Sequence, residues 1–217
     1  MSATIESICV GKPKTVHHDG KAVSTGIFKS PVDHRVAVGL LNIDGDGQAD
    51  LSVHGGRDKA VYVYSSRHYE TWAAELGLAA LGPSPFGENL AVSEISEQDV
   101  VLGSRYRFGT VTAIVAQPRL PCFKLGIRRE DDTFPNRFLA SGRLGFYLRI
   151  EEPGETGAGD AFELVDCPGH GITVHALWQT VFGGRKDTAA ARRCLDSLPH
   201  LDTGWQRRLR IALGEKL

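Results

Sequence analysis

Cys122 lies in the run Gln117-Pro118-Arg119-Leu120-Pro121-Cys122-Phe123-Lys124, a thiol placed between a proline-stiffened turn and two cations. Cations near a thiol favour its charged form and lower its pKa. Pro118 and Pro121 fix φ over the approach, so the sulfur is presented from a rigid turn. That arrangement suits a nucleophile or a metal ligand, and equally describes a half-buried structural cysteine that follows a proline.

A second candidate site is Asp50-Leu51-Ser52-Val53-His54-Gly55-Gly56-Arg57-Asp58-Lys59, running into the apolar stretch Ala60 to Tyr64. Paired glycines allow close approach of the backbone to a ligand, and His54, Arg57 and Lys59 offer donors to an anion. A glycine hairpin with solvated charges fits the same residues. The segment lacks the spacing of a Walker loop. In Pro85-Phe86-Gly87-Glu88-Asn89-Leu90, Glu88 and Asn89 either cap a tight turn or orient a polar ligand. Lys12, in Lys12-Pro13-Lys14, follows the first apolar run and stands where a strand end meets a barrel mouth.

Short β-branched and aromatic runs position these motifs: Ile5 to Val10, Arg35 to Leu41, Ala60 to Tyr64, Thr110 to Ala116 and Gly145 to Ile150. They predict a barrel or sandwich over residues 1–166, interrupted by one helix. In that helix Ser66 is the cap, Tyr69, Trp72, Ala73 and Leu76 share a face, and Gly77 is the stop. From residue 167 the period changes. Thr173 reads as an N-cap with Val174, Leu177, Trp178 and Val181 on one stripe, and helices are expected over Asp187 to Leu195 and Thr203 to Leu213. Residues 167–217 are therefore expected to form a three-helix appendage packed on the β domain.

The 217 residues suffice for a sizeable core, and 25 basic against 26 acidic residues argue against a nucleic-acid-coating surface. The four cysteines form no Cys-x-x-Cys pair and the N-terminus lacks signal-peptide character, which suggests a cytoplasmic protein; no apolar run is long enough to span a bilayer. No Gly-x-Gly-x-x-Gly or iron–sulfur cysteine set is present. Cys9 and Cys194 read as core residues and Cys167 as the one with a claim to exposure.

Taken in order, the His54-Gly55-Gly56 to Lys59-Ala60-Val61 hairpin, the Phe86-Gly87-Glu88-Asn89-Leu90 turn and the Cys122 turn resemble the MOSC domain (molybdenum cofactor sulfurase C-terminal domain), and within it the YiiM-like proteins. The likeness extends over Ser141 to Arg149 and a C-terminal three-helix segment. It implies a mainly β, barrel-like domain with α-helices that binds the molybdenum cofactor (molybdopterin), with Cys122 matching the family's cysteine and serving as the protein ligand. A soft thiolate suits molybdenum. The implied activity is two-electron N–O reduction of N-hydroxylated compounds such as 6-hydroxylaminopurine. His54, Lys59 and Arg119 are the expected cofactor-binding residues, with Lys12, Asn89 and Lys124 beside them, and His54 is the candidate proton donor. Electrons must come from a separate reductase, while pyridoxal phosphate is not expected.

Two other classes stay open at this point. In one the chain is a cofactor or sulfur carrier, Cys122 holding a persulfide. In the other Arg207, Arg208 and Arg210, beside Trp205 on the last helix, contact nucleic acid or a reductase, against the plainer reading of a solvated face. A Cys122/His54 hydrolase oriented by Asp50 or Asp58 is a weaker arrangement. A domain rich in strand edges can also pair as a homodimer.

Overall fold

A computed structural model describes residues 3–50 and 55–216. The first half carries β1 (Ile5–Val10), β2 (Lys14–His18), β3 (Lys21–Thr25), β4 (Ser30–Val32), β5 (Val36–Val38), β6 (Val61–Ser65), α1 (Tyr69–Glu75) and β7 (Leu90–Val92). There follow β8 (Arg105–Phe108), β9 (Val111–Pro118), α2 (Phe123–Arg129), α3 (Phe134–Ser141), β10 (Phe146–Glu152), β11 (Gly154–Thr156) and β12 (Phe162–Asp166). The chain ends in α4 (Val174–Phe182), α5 (Thr188–Ser197) and α6 (Thr203–Leu213).

Eight strands form one sheet in the order β12-β8-β9-β10-β6-β7-β1-β4, antiparallel except for the β6–β7 pair. Its two ends approach each other. The N–H of Phe162 donates to the carbonyl of Ala3 (2.9 Å), that of Ile5 to Asp160 (3.0 Å), and Thr4 bridges Ala161. No ladder completes the closure among the described residues, so the molecule is mainly β with α-helices, and its sheet is rolled without being a closed barrel.

Side-chain alternation divides the core. Val61 and Val63 of β6 and Phe146, Leu148 and Ile150 of β10 point to a cluster that also takes in Val174, Leu177, Trp205 and Leu209 of the C-terminal helices. Tyr62 and Tyr64 point the other way, into an aromatic cluster with Trp72, Phe86, Phe134 and Phe138. Stacked and tilted ring pairs hold that second cluster, including Trp72 on Phe138 at 5.7 Å and Phe86 on Phe138 at 5.1 Å. The Trp72 indole N–H donates to the Tyr64 hydroxyl at 2.7 Å, and Tyr64 in turn donates to the Arg143 carbonyl.

Several elements follow from local signals. Thr173 caps α4 through its hydroxyl on the Ala176 N–H (3.0 Å), and Asp187 caps α5 on the Ala190 N–H (2.9 Å). Ser66 does not cap α1. It opens a 3-10 turn, Ser66–His68, and its hydroxyl turns to the Val92 carbonyl. The sequence expectation of one helix before residue 167 also omits α2 and α3, whose one to two turns are too short to show a clear period. No helix is long and apolar enough to cross a membrane among the described residues.

Candidate functional site

Where β9 ends, Pro118 leads into a short extended passage. Cys122 occupies the residue before α2 with φ −127° and ψ 172°, its carbonyl accepting from the Leu125 N–H at 2.9 Å. The thiol lies half-buried in the wall of a cleft that Lys59, Asn89, Arg119 and Lys124 also line. Three motifs far apart in the sequence therefore meet at one place. Lys12 does not line this cleft: its ammonium donates to the backbone carbonyl of Asp46 at 2.8 Å. His54 lies outside the described residues.

Arg119 is the most constrained of these side chains. Only 5% of it is exposed, its guanidinium lies over Tyr62 (5.0 Å) and Phe138 (5.4 Å), and Nη1 has no hydrogen-bond partner among the described residues. Burial disfavours its charge. The surrounding acids Tyr62, Tyr147, Cys122 and Glu88 outweigh that and hold its pKa above the ordinary arginine value. A buried, charged donor without an acceptor is expensive, and such groups are normally matched. Its backbone is fixed too, the N–H donating to the Gly145 carbonyl at 3.2 Å. Gly145 has φ +65°, and a side chain there would collide with the Val63 carbonyl, so this stretch admits only glycine.

Asn89 proves to be a clamp as well as a lining residue. Its side-chain carbonyl accepts from the Tyr62 N–H (3.0 Å), and its amide donates to the Cys9 carbonyl (3.2 Å) and to Asp46 Oδ2 (2.9 Å). It thus joins β6, β1 and the loop of Asp46. Glu88, next to it, faces away into the protein. Its carboxylate accepts from the Phe86 N–H (2.9 Å) and from the Tyr69 hydroxyl, and burial raises its pKa. The Phe-Gly-Glu-Asn turn is thereby held from within by Glu88, while Asn89 and Gly87 face the cleft.

Three further residues of the cleft wall were not among the expected site residues. Lys29 and Asp46, with side chains 7% and 4% exposed, form a buried ion pair, and Asp46 Oδ1 also accepts from the Gly11 N–H at 3.0 Å. Tyr147, on β10 opposite Gln117 of β9, stands in the same wall as Cys122; burial pushes its hydroxyl pKa up against the pull of Arg119. Only pairing across long stretches of chain brings these groups together. For Tyr147 the signals available beforehand were its place in the Ser141 to Arg149 likeness and the alternation of β10, which sets it on the face opposite Phe146 and Leu148.

Lys59 ends a 3-10 turn, Arg57–Lys59, and its ammonium meets Asp202 beside α6 at 3.4 Å. Asp58 in that turn is paired with Arg149 of β10. The other cysteines lie apart from the cleft wall: Cys9 and Cys194 are 2% and 3% exposed and Cys167 is exposed. Burial pushes the Cys9 thiol up to about 11.

The donor set is a soft sulfur with surrounding cations and buried amide and phenol groups, suited to an anionic ligand that carries a thiophilic metal. Residues 50–163 match the model of the MOSC domain. The chain is 36% identical over 203 residues to the uncharacterized protein YflK of Bacillus subtilis, covering 94% of this chain and 91% of that one. It is 32% identical over 157 residues to a protein named "Reductase" from Gibberella moniliformis, 69% of this chain but only 27% of the fungal one. The crystal structure of YiiM from Geobacillus stearothermophilus superposes with a TM-score of 0.80 at 32% identity, over 97% of this chain and 99% of that chain. This chain belongs to the MOSC family.

Proposed function

We propose that the cleft binds the molybdenum cofactor with Cys122 as the protein ligand of the metal, and that the chain reduces N-hydroxylated small molecules to amines. The observation that carries this reading is Arg119: a buried guanidinium with an unmatched Nη1, in the same cleft as a half-buried thiol. A pyranopterin ending in a phosphate supplies the acceptors such a group lacks. Lys124 and Lys59 add cationic surface, while Lys29 is already matched by Asp46 and holds the cleft's shape. The residues present fit the cofactor.

When bound, the cofactor supplies a two-electron redox centre. The balanced reaction is R–NHOH + 2 e⁻ + 2 H⁺ → R–NH₂ + H₂O, with electrons from a separate reductase protein. The chain's own tasks are to hold the cofactor, orient the N–OH group and deliver protons. Tyr147, kept neutral by burial, is positioned in the wall with Cys122 to donate a hydrogen bond to the departing oxygen. His54, five positions before Lys59 in the sequence, is the proposed proton source. The name of the Gibberella relative supports a reduction.

The test is molybdenum by elemental analysis on protein from a host able to make the cofactor and from one unable to make it. Reduction of 6-hydroxylaminopurine by a chemical reductant is assayed on both. Near-stoichiometric metal with activity in the first sample alone is expected, and Cys122→Ala should lose the metal. Unchanged molybdenum in that variant would sink the ligand assignment. Metal-free, inactive protein from the competent host would leave a carrier.

A further inference from the structure

Behind Arg119 runs the turn Arg143-Leu144-Gly145, and each of its three carbonyls accepts a hydrogen bond. Arg143 accepts from the Tyr64 hydroxyl (3.1 Å), Leu144 from the Tyr62 hydroxyl (2.8 Å) and Gly145 from the Arg119 N–H (3.2 Å). The turn therefore sets both ends of Arg119. It fixes the backbone directly, and it pins the Tyr62 ring that the guanidinium lies over at 5.0 Å. The turn is itself held by the carboxyl of Glu97, a residue 4% exposed, whose Oε1 accepts from the Gly145 N–H at 2.8 Å. We propose that Glu97 is a positioning residue for Arg119, acting through Gly145 and fixed in turn by His68. This rests on the reading of Arg119 as a cofactor-binding group.

Glu97 stands in the loop between β7 and β8 and does not line the cleft. It lines a separate opening with His68, Arg143 and His175, so its influence on a ligand in the cleft must pass through the turn. Its Oε2 meets His68 Nε2 at 2.7 Å, and its backbone carbonyl accepts from the His175 N–H of α4 at 2.7 Å. Both the side chain and the backbone are thus anchored away from Gly145. Gly145 is buried and its φ of +65° admits no side chain, which fixes the direction of its N–H. A buried N–H deprived of its acceptor is costly, so loss of Glu97 would drive the turn to a new position. Burial holds the Tyr62 and Tyr64 hydroxyls well above the ordinary tyrosine pKa, and Glu97 adds to that, which keeps both phenols as donors to the turn.

The test compares Glu97→Gln, Glu97→Asp and Glu97→Ala. Glutamine keeps an acceptor for Gly145 and offers a donor to His68, whereas aspartate keeps the carboxyl but falls one methylene short. In the full-length, cofactor-free protein the side-chain proton resonances of Arg119 are displaced by the Tyr62 and Phe138 rings, and their loss in Arg119→Met identifies them. The displacement should persist in Glu97→Gln and collapse in Glu97→Asp and Glu97→Ala. In protein loaded by a cofactor-competent host, the rate of molybdenum loss on dialysis should be unchanged in Glu97→Gln and rise about tenfold in the other two. Native Arg119 signals in Glu97→Asp, or their loss from Glu97→Gln, would overturn the proposal, and neither result depends on Glu97→Ala folding. Collapsed Arg119 signals with unaltered molybdenum retention in Glu97→Asp would leave the role of Glu97 standing and remove Arg119 from the cofactor site instead.

Discussion

Replacing Arg119 by methionine should separate stability from cofactor retention, with the two moving in opposite directions. In the cofactor-free protein the guanidinium is 5% exposed with Nη1 unmatched, a state that costs about 1–3 kcal/mol. Its two contacts over Tyr62 and Phe138 return roughly 0.5–1 kcal/mol each. Methionine fills a similar volume and keeps about 0.3–1.5 kcal/mol of sulfur–aromatic contact. These ranges place Arg119→Met from about 0.7 kcal/mol less stable to about 3.5 kcal/mol more stable, centred on about 1.4 kcal/mol more stable. Cofactor affinity should instead fall roughly 10- to 100-fold, since a charge-assisted hydrogen bond to an anion contributes about 1.5–3 kcal/mol. Urea unfolding of cofactor-free protein gives the first quantity, and molybdenum retained after extended dialysis gives the second. A variant more than about 2 kcal/mol less stable that still retains its metal would show that Arg119 is a structural strut, and the reasoning from its unmatched donor would be wrong.

Further outcomes follow from the same contacts. Asn89→Ala removes hydrogen bonds to Tyr62, Cys9 and Asp46 and leaves buried groups unmatched, so it should cost about 2–4 kcal/mol in urea unfolding. Ellman's reagent on native cofactor-free protein should label Cys122 and Cys167, with Cys9 and Cys194 reacting only on unfolding, because burial raises both of their thiol pKa values. Burial raises the Glu88 carboxyl pKa, so the native state holds that proton more tightly than the unfolded chain. Its contribution is therefore fully present below the ordinary glutamate value and is lost as pH rises through the raised one. Glu88→Gln should remove that decline from a series of urea midpoints between about pH 4 and 8; a parallel pair of curves would refute the assignment.

Elements whose causes are local could be read beforehand. The first strand runs from Ile5 to Val10 as its β-branched pattern indicates, Thr173 and Asp187 cap the helices that follow them, and Thr203–Leu213 is a helix over the expected bounds. The cleft was legible only through its motifs. Lys59, Asn89, Arg119, Cys122 and Lys124 converge, whereas Lys29 and Asp46 carried no mark and Tyr147 only its place in the Ser141 to Arg149 likeness, since nothing near Lys29 in sequence announces a carboxylate 17 positions away. Ser66 misled because a serine before an apolar stripe is only a cap if the chain turns there in an extended conformation, and here it continues into a 3-10 turn. The role of Asn89 as a clamp depends on three segments that meet only in the folded chain.

The shared core of sheet and C-terminal helices also fixes an order of events during synthesis. The first strand emerges early but must wait for Leu90–Val92 to pair with it and for Asp160 to accept from Ile5. The Pro118 carbonyl, at the threshold of the Cys122 turn, has to wait longer still, until Trp205 has left the ribosome and reached it. With the last helix contributing Trp205 and Leu209 to the same buried cluster as Ile5 and Val63, that cluster cannot close until α6 has been synthesised. The Cys122 turn therefore gains its finished surroundings only once α6 has docked, and a chain stalled before Trp205 would leave the thiol without them.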